Sequence, residues 1–396
     1  VTDADIAIIG AGPAGGSMAH AMACRGWRTV LLDRFPPPRH KACGEFLSPE
    51  SLDTLEILGL FPRIASLGPA EMAEARISLH AGSKPLVIPL PGTAWGVSRH
   101  ALDHAILQAA LERGVRWRPG AAVTSVSRQG RDYRIEWRED GQYRAMTARA
   151  VIGAWGRNPP SGLRSGATPP EPPIRPSLRP AWRWRRSLAS RASFVGVSCH
   201  VTGLTKEPAV ELFFFRGGYA GLAPVEGGHH NLAALVDRRF FREAGGTVRG
   251  VLEAAARAHA GLGHRWTNAT PVPGSEAAAA PVIVGRGPDP WGAVPHVGDA
   301  AAVIPPLCGD GMAMALRSAA LCAPLADAFL RGELATGEWK RLYTQAICTE
   351  WAGPLRWGNM LQRLSATPAL LAPLLAAGRL APVLARRLVR VTRLPG

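Results

Sequence analysis

The stretch "DIAIIGAGPAGGSMAHAMACRGWRTVLLDR", residues 5–34, constrains the fold more than any other part of the chain. Apolar residues at 6–9 predict a short buried strand. A helix follows over 14–25, Gly26 can end it, and 29–32 predict a second strand. Between the first strand and the helix stand Gly10, Gly12 and Gly15 in the spacing G-x-G-x-x-G, with Pro13 and Ala14 at the helix start. Gly10 allows a tight turn, Gly12 lets the backbone approach a pyrophosphate, and Gly15 lets the helix pack on the strand. The helix N-terminus offers free N–H groups to the phosphates. Asp33, at the end of the second strand, can accept hydrogen bonds from ribose hydroxyls, and Arg34 follows it. The order strand, glycines, helix, strand, acid is the dinucleotide-binding unit. His20 and Cys24 fall inside the helix and read as packing residues. Nicotinamide and flavin dinucleotides share this unit, so these residues leave both open.

A second stretch far along the chain separates them. In "AVPHVGDAAAVIPPLCGDGMAMALRSAALCAPLADAF", residues 293–329, a short strand is expected to end at Gly298-Asp299. A loop with Pro305 and Pro306 follows. Gly309 and Gly311 then open a long helix of small residues that begins with Met312. Here the chain resembles the FAD-dependent superfamily of aromatic hydroxylases, flavin halogenases and geranylgeranyl reductases. The shared pattern G-D-A-A…P…G-x-G is met by Gly298, Asp299, Ala300, Ala301, Pro306, Gly309 and Gly311. The resemblance implies that FAD is the cofactor, that Asp299 binds its ribityl chain, and that the helix start meets the pyrimidine edge of the ring. It also implies that Arg99, at the start of "RHALDHAILQAALE", supports the FAD. Within the superfamily, Lys41-x-Cys43-Gly44 is most like the geranylgeranyl reductase branch, where this segment lies against the flavin ring. Cys43 can serve as a proton donor to substrate or as a small apolar filler. Glu45 and Ser48 are placed on the same pocket, although Ser48-Pro49-Glu50 also reads as a helix cap.

The chain departs from the pattern at one place. Aromatic hydroxylases carry Asp-Gly after a strand such as "VIGA", and this chain has Trp155-Gly156. That puts in doubt a direct transfer of the hydroxylase scheme with its NADPH step. "AWRWRR", 181–186, is superficially similar to the halogenase W-x-W motif, but the Ile-Pro that should follow is absent and no matching lysine is found.

The middle of the chain reads as an antiparallel sheet, from alternating strands separated by glycine-rich turns. "GGYAGLAP", 217–224, resembles the strand that presents aromatic residues over the flavin in the reductase branch, and Tyr219 is its polar candidate. Phe213 to Phe215 are expected half in the core and half in a cavity wall. His229 and His230 are placed in a solvated hairpin turn. The expected fold is α/β: a discontinuous Rossmann-like FAD-binding domain of the GR2 type, a mostly antiparallel β-sheet substrate domain, and C-terminal helices. The FAD domain takes 1–70, 97–158 and 285–345. The substrate domain takes a hairpin at 71–96 and the stretch 183–284. A connector with eight prolines in 22 residues opens at 159 and runs to 182, and helices fill 346–396.

Composition narrows the partners. Six cysteines are scattered without C-x-x-C, which fits reduced thiols and no metal site. The chain opens into a strand with no basic leader, and its longest apolar runs are broken by Pro, Gly or Arg. A cytoplasmic location without a transmembrane helix is therefore expected. The formal charge is +16, mostly arginine, yet no nucleic-acid module appears. The basic, leucine-rich stretch 361–396 is expected to form short amphipathic helices that cap the FAD domain or touch a membrane surface.

Two reactions fit. One is a monooxygenase that hydroxylates a hydrophobic, aromatic or polyketide-like metabolite through a flavin C4a-hydroperoxide. The other is a geranylgeranyl reductase-like reduction of a C=C bond, with a proton from Cys43, Tyr219 or water. The electron donor is NAD(P)H or a partner reductase, and the substrate is a hydrophobic small molecule, free or carrier-bound. A non-catalytic FAD-binding protein is the third class.

Overall fold

The computed structural model describes residues 2–35, 38–79, 84–160, 194–282 and 284–365. The greater part of the proline-rich connector, the "AWRWRR" stretch and the basic stretch from 366 onward lie outside the described residues.

Period-2 alternation builds the first sheet. Its order is β6 (Arg116–Pro119), β2 (Thr29–Asp33), β1 (Ala4–Ile9), β9 (Gln142–Gly153), β8 (Asp132–Glu139) and β7 (Ala122–Gln129). The first four run parallel, and β9, β8 and β7 form an antiparallel meander. In β1, Ile6 and Ile8 face a helical layer, while Ala7 and Ile9 face the opposite core with Val30, Leu32 and Val151. The helical layer holds α1 (Pro13–Cys24), α2 (Glu50–Ile57), α3 (Phe61–Ala65), α4 (Arg99–Glu112), α8 (Gly311–Arg331) and α9 (Thr336–Ser365). His20 and Cys24 belong to this packing. His20 is buried and its Nδ1 lies 3.1 Å from the Ala109 carbonyl.

The second sheet runs β14 (Thr270–Pro271), β10 (Phe194–Thr202), β13 (His230–Asp237), β12 (Gly218–Pro224), β11 (Ala209–Phe215), β4 (Ala70–Ser78), β5 (Leu86–Gly96) and β3 (Phe46–Leu47), with β15 (Ala277–Val282) also paired to β10. Every pairing is antiparallel except β11 with β4. One face packs under α5 (Arg238–Glu243), α6 (Val248–Ala258) and α7 (Ala260–Thr267). The other face looks back toward the first sheet and the glycine-rich turn. Phe213 and Phe215 point into the helix-covered core and Phe214 points the other way.

Four expectations change. The strand expected before Gly298 is reduced to two isolated bridges, Gly153 with His296 and Trp291 with Pro295, and Gly298 opens a short 3-10 turn with φ +63. The Ser48 hydroxyl does not cap α2: it faces the Ser51 hydroxyl at 3.3 Å, and Pro49 already has helical angles. His230 is buried at the start of β13 rather than solvated, because the turn ends one residue earlier. Finally, α9 passes through 345 and 346 without a break and takes in 361–365, so no boundary falls there. Among the described residues α8 is long and apolar enough to cross a membrane, which the sequence reading did not find. It lies in the helical layer, and 56% of its most apolar window is buried inside the protein.

Candidate functional site

The two sheets enclose a cavity of 1530 Å³, larger than the roughly 300–1,000 Å³ of a single small-molecule pocket. Its polar end is built by the β1–α1 turn, the segment 39–45, the start of α4 and the loop before α8. Its apolar end is the free face of the second sheet. Of the residues expected to contact the cofactor, Gly10, Gly12, Pro13, Ala14, Asp33, Arg34, Lys41, Cys43, Gly44, Arg99, Gly298, Asp299, Pro306, Gly309, Gly311 and Met312 line this cavity. Gly15 does not. A Cβ on it would sit 1.8 Å from the Gly10 carbonyl oxygen, so it acts by packing α1 against the strand. Ser48 is also off the cavity wall, whereas Glu45 is on it.

Does the polar end suit a dinucleotide? Three of its glycines answer. Gly12 has an ordinary extended backbone, φ −75 and ψ −176. A Cβ on Gly12 would come no nearer than 3.9 Å to another protein atom, and at Gly44 and Gly311 no protein atom lies within 4 Å. Neither strain nor packing therefore requires glycine at these positions. What a side chain would do there is enter the cavity, as expected where backbone must approach a ligand. The N-termini of α1 and α8 both meet the cavity; α1 carries no acid in its first turn, and the buried Asp310 stands at the N-cap of α8. Asp33 fixes the turn through one oxygen, which accepts from the Ala11 N–H at 2.7 Å, and its other oxygen accepts from the Phe35 N–H. Asp299 forms an ion pair with Arg157 at 3.3 Å. These residues fit FAD: the glycines and helix ends would hold its phosphates and ring edge, and Asp33 and Asp299 its sugar and ribityl hydroxyls.

The segment 41–45 is held by two buried charge networks. Arg99, at the start of α4 behind the Ser98 cap, makes a bidentate pair with Asp103 one turn later, both contacts at 2.9 Å. Lys41 adds a third contact to Asp103 at 2.6 Å. Burial would lift the Asp103 carboxyl, but Arg99 and Lys41 outweigh it and hold it below the usual carboxylate range. Burial lowers Lys41, partly offset by Asp103. The Cys43 sulfur accepts from the Glu45 N–H at 3.5 Å, and the Arg99 charge acts on it. Burial pushes the Cys43 thiol above its ordinary value against the pull of Arg99, so it is protonated at neutral pH.

The second network joins this segment to the second sheet. The Asn231 amide of β13 donates to the Cys43 carbonyl at 2.8 Å. Glu45, 2% exposed, meets His200 Nε2 of β10 at 2.7 Å and accepts from the Arg99 N–H at 2.7 Å. Sheet register explains why both partners come from the same place. His200, Asn231 and Ala223 are consecutive across β10, β13 and β12. Two residues along, the row is Ser198, Ala233, Gly221 and Leu212, and beyond it Gly196, Leu235, Tyr219 and Phe214. The same face thus turns from polar to apolar over four residues of strand. Tyr219 lies in the apolar row, where burial raises its hydroxyl well above the ordinary value.

The sequence reading missed Asp103, His200 and Asn231. Asp103 had a signal, since it stands four residues after Arg99 on a predicted helix. The other two had none, because only strand pairing brings them to Cys43. Trp155, where hydroxylases have Asp, stands at the cavity rim. Its ring covers Gly153 and meets the edge of His296 at 5.1 Å.

Comparison with known proteins agrees with this geometry. Residues 3–171 match the FAD binding domain family. Over 131 residues the chain is 32% identical to the menaquinone reductase of Mycolicibacterium smegmatis, covering 32% of this chain and 31% of that protein. The chain therefore spans about a third of that relative's length. It is 27% identical over 319 residues to digeranylgeranylglycerophospholipid reductase 2 of Methanopyrus kandleri, covering 78% and 73% of the two chains. Among solved structures, a flavoprotein/dehydrogenase from Cytophaga hutchinsonii superposes with a TM-score of 0.74 at 18% identity, over 93% of this chain and 87% of that one.

Proposed function

On the premise that the chain belongs to the FAD-dependent superfamily of hydroxylases, halogenases and geranylgeranyl reductases, we propose that it reduces a carbon–carbon double bond of a hydrophobic substrate. The observation that carries this reading is a half-buried thiol at the junction of the two ends of the cavity. Cys43 stands between the glycine-built end and the apolar sheet face, with its carbonyl fixed by Asn231 and its sulfur accepting from the Glu45 N–H. Reduced FAD would supply a hydride to one carbon. The neighbouring carbon needs a proton, and the Cys43 S–H can give it: the S–H bond breaks as the C–H bond forms. Phe214, Leu235, Ala233 and Gly221 offer a smooth apolar wall for the substrate and exclude water. Two relatives named as reductases support the same reading. The electron donor in this proposal is NAD(P)H or a partner reductase, and the substrate reaches the site free or on a carrier.

Hydroxylation of an aromatic or polyketide-like substrate is the second reading. The dry apolar wall favours it, since oxygen transfer also requires that water be excluded. Trp155 in place of the hydroxylase Asp counts against it. Cys43→Ala separates the two. In the reductase reading the variant keeps FAD and is still reduced by dithionite, but forms product from a polyprenyl probe about a hundredfold more slowly. Unchanged product formation would leave Cys43 as a filler and remove the main support for reduction.

A further inference from the structure

A thiol that gives up its proton at the junction of the cavity's two ends must regain one before the next turnover. We propose that Glu45 and His200, with His40 and His229 outside them, form a relay that carries protons from solvent to the reacting end of the cavity.

Four observations carry this. First, Glu45 lines the cavity and its carboxylate is 2.7 Å from His200 Nε2, close enough for direct proton transfer. Second, the histidines form a chain outward. His200 meets the edge of His40 at 5.0 Å and lies 6.3 Å from His229, and His40 stacks on His100 at 4.9 Å. His40, His100 and His229 are only half-buried, so the outer end of the chain touches water. Third, Glu45 has φ +55, in the left-handed region that strains a non-glycine residue. Fourth, acids flank the inner histidine, whereas burial, His200 and His100 lower His40. Glu226, from the turn after β12, accepts from the Ser98 N–H at 2.8 Å and raises His200 together with Glu45, against the lowering effect of burial. The cations on the inner side, Arg99 and Lys41, are held by Asp103. Among the described residues no group of three or more ligands could hold a metal ion, so the histidines are not such a centre.

The transfers balance. The Cys43 thiolate takes a proton from the Glu45 carboxyl. Glu45 takes one from the His200 imidazolium, and His200 is recharged through His40 or His229 from water. One solvent proton is consumed per substrate reduced. The last step of the relay, to Cys43, rests on the proposed reduction, whereas its outer steps, from water through His200 to Glu45, serve any oxidoreduction at this cavity.

The test therefore uses oxygen as the acceptor, since reoxidation of reduced FAD to peroxide also consumes one proton. Photoreduced holoprotein is mixed with oxygenated buffer, and flavin absorbance is followed together with proton uptake by a pH indicator. In His200→Gln, and in Glu45→Gln if it folds, FAD content stays at the wild-type level and proton uptake slows about a hundredfold. Added imidazole restores the His200→Gln rate in proportion to its concentration. His104→Gln, on the exposed side of α4, behaves as wild type. The relay is overturned if His200→Gln keeps the wild-type rate, or if it is slow, loaded with FAD and indifferent to imidazole, which is what a purely structural clasp would give. If no polyprenyl probe is reduced by wild-type protein while the oxygen test succeeds, the reduction reading fails with the step to Cys43, and the outer steps of the relay stand.

Discussion

The two ends of the cavity are made in opposite ways. The polar end is built from what is missing: glycines at 12, 44 and 311 whose absent side chains leave the backbone open, between two helix N-termini. The apolar end is built from what is present, in rows of alternating residues contributed by strands far apart in the chain. At the polar end, substitutions should act on cofactor and leave the free protein intact. At the apolar end they should act on substrate and leave the cofactor in place.

The largest expected effect falls on the seam between the two. Asp103→Asn leaves Arg99 and Lys41 buried without their carboxylate, and thermal or denaturant unfolding should show a loss of about 3–5 kcal/mol. If the loss is below about 1 kcal/mol, the seam is not held by this triad. Next comes Gly12→Val. The apoprotein should melt near wild type, because the backbone there is unstrained and no atom is close, while FAD affinity in a fluorescence titration falls at least about a hundredfold, about 2.7 kcal/mol. Equal losses of folding and binding would erase the contrast. Gly221→Val, across the cavity, should keep FAD affinity and raise the KM for a bulky substrate by about tenfold, as its Cβ would sit in ordinary contact with the tip of Leu212 at 3.5 Å and its methyl groups would narrow the cavity. The smallest effect is on pH. His200 is raised in the folded protein by Glu45 and Glu226, so its contribution to stability is complete below about pH 6.5 and fades as pH rises through the raised value. The stability difference between wild type and His200→Gln should shrink as pH rises above about 6.5. A difference independent of pH would mean that the imidazole does not titrate there.

This contrast also explains what was legible in the sequence. Gly10, Gly12 and Asp33, and again Gly298, Asp299 and Gly311, lie within single βαβ or loop–helix units, where spacing along the chain is spacing in space. Period-2 alternation likewise placed Phe214 apart from Phe213 and Phe215. His200 and Asn231 became partners of Glu45 and Cys43 only through the register of β10 and β13, and no local pattern encodes that register with the segment they grasp. The expected strand before Gly298 failed for a related reason: Val297 is buried in the helical-layer core and Val294 in the opposite core without a full ladder. Ser48 carried a good cap pattern, but its hydroxyl found Ser51 instead of a backbone N–H.

The reaction itself is open to one decisive measurement. Holoprotein reduced anaerobically with dithionite, freed of excess reductant, is mixed with a polyprenyl alcohol that carries no quinone ring, in the strict absence of oxygen. Flavin absorbance and product mass are then read over a single turnover. The account predicts that the oxidised flavin spectrum returns without oxygen and that the product gains two hydrogens. A flavin that stays reduced until oxygen is admitted, with a product that then carries an added oxygen atom, would contradict it and establish the site as an oxygenase.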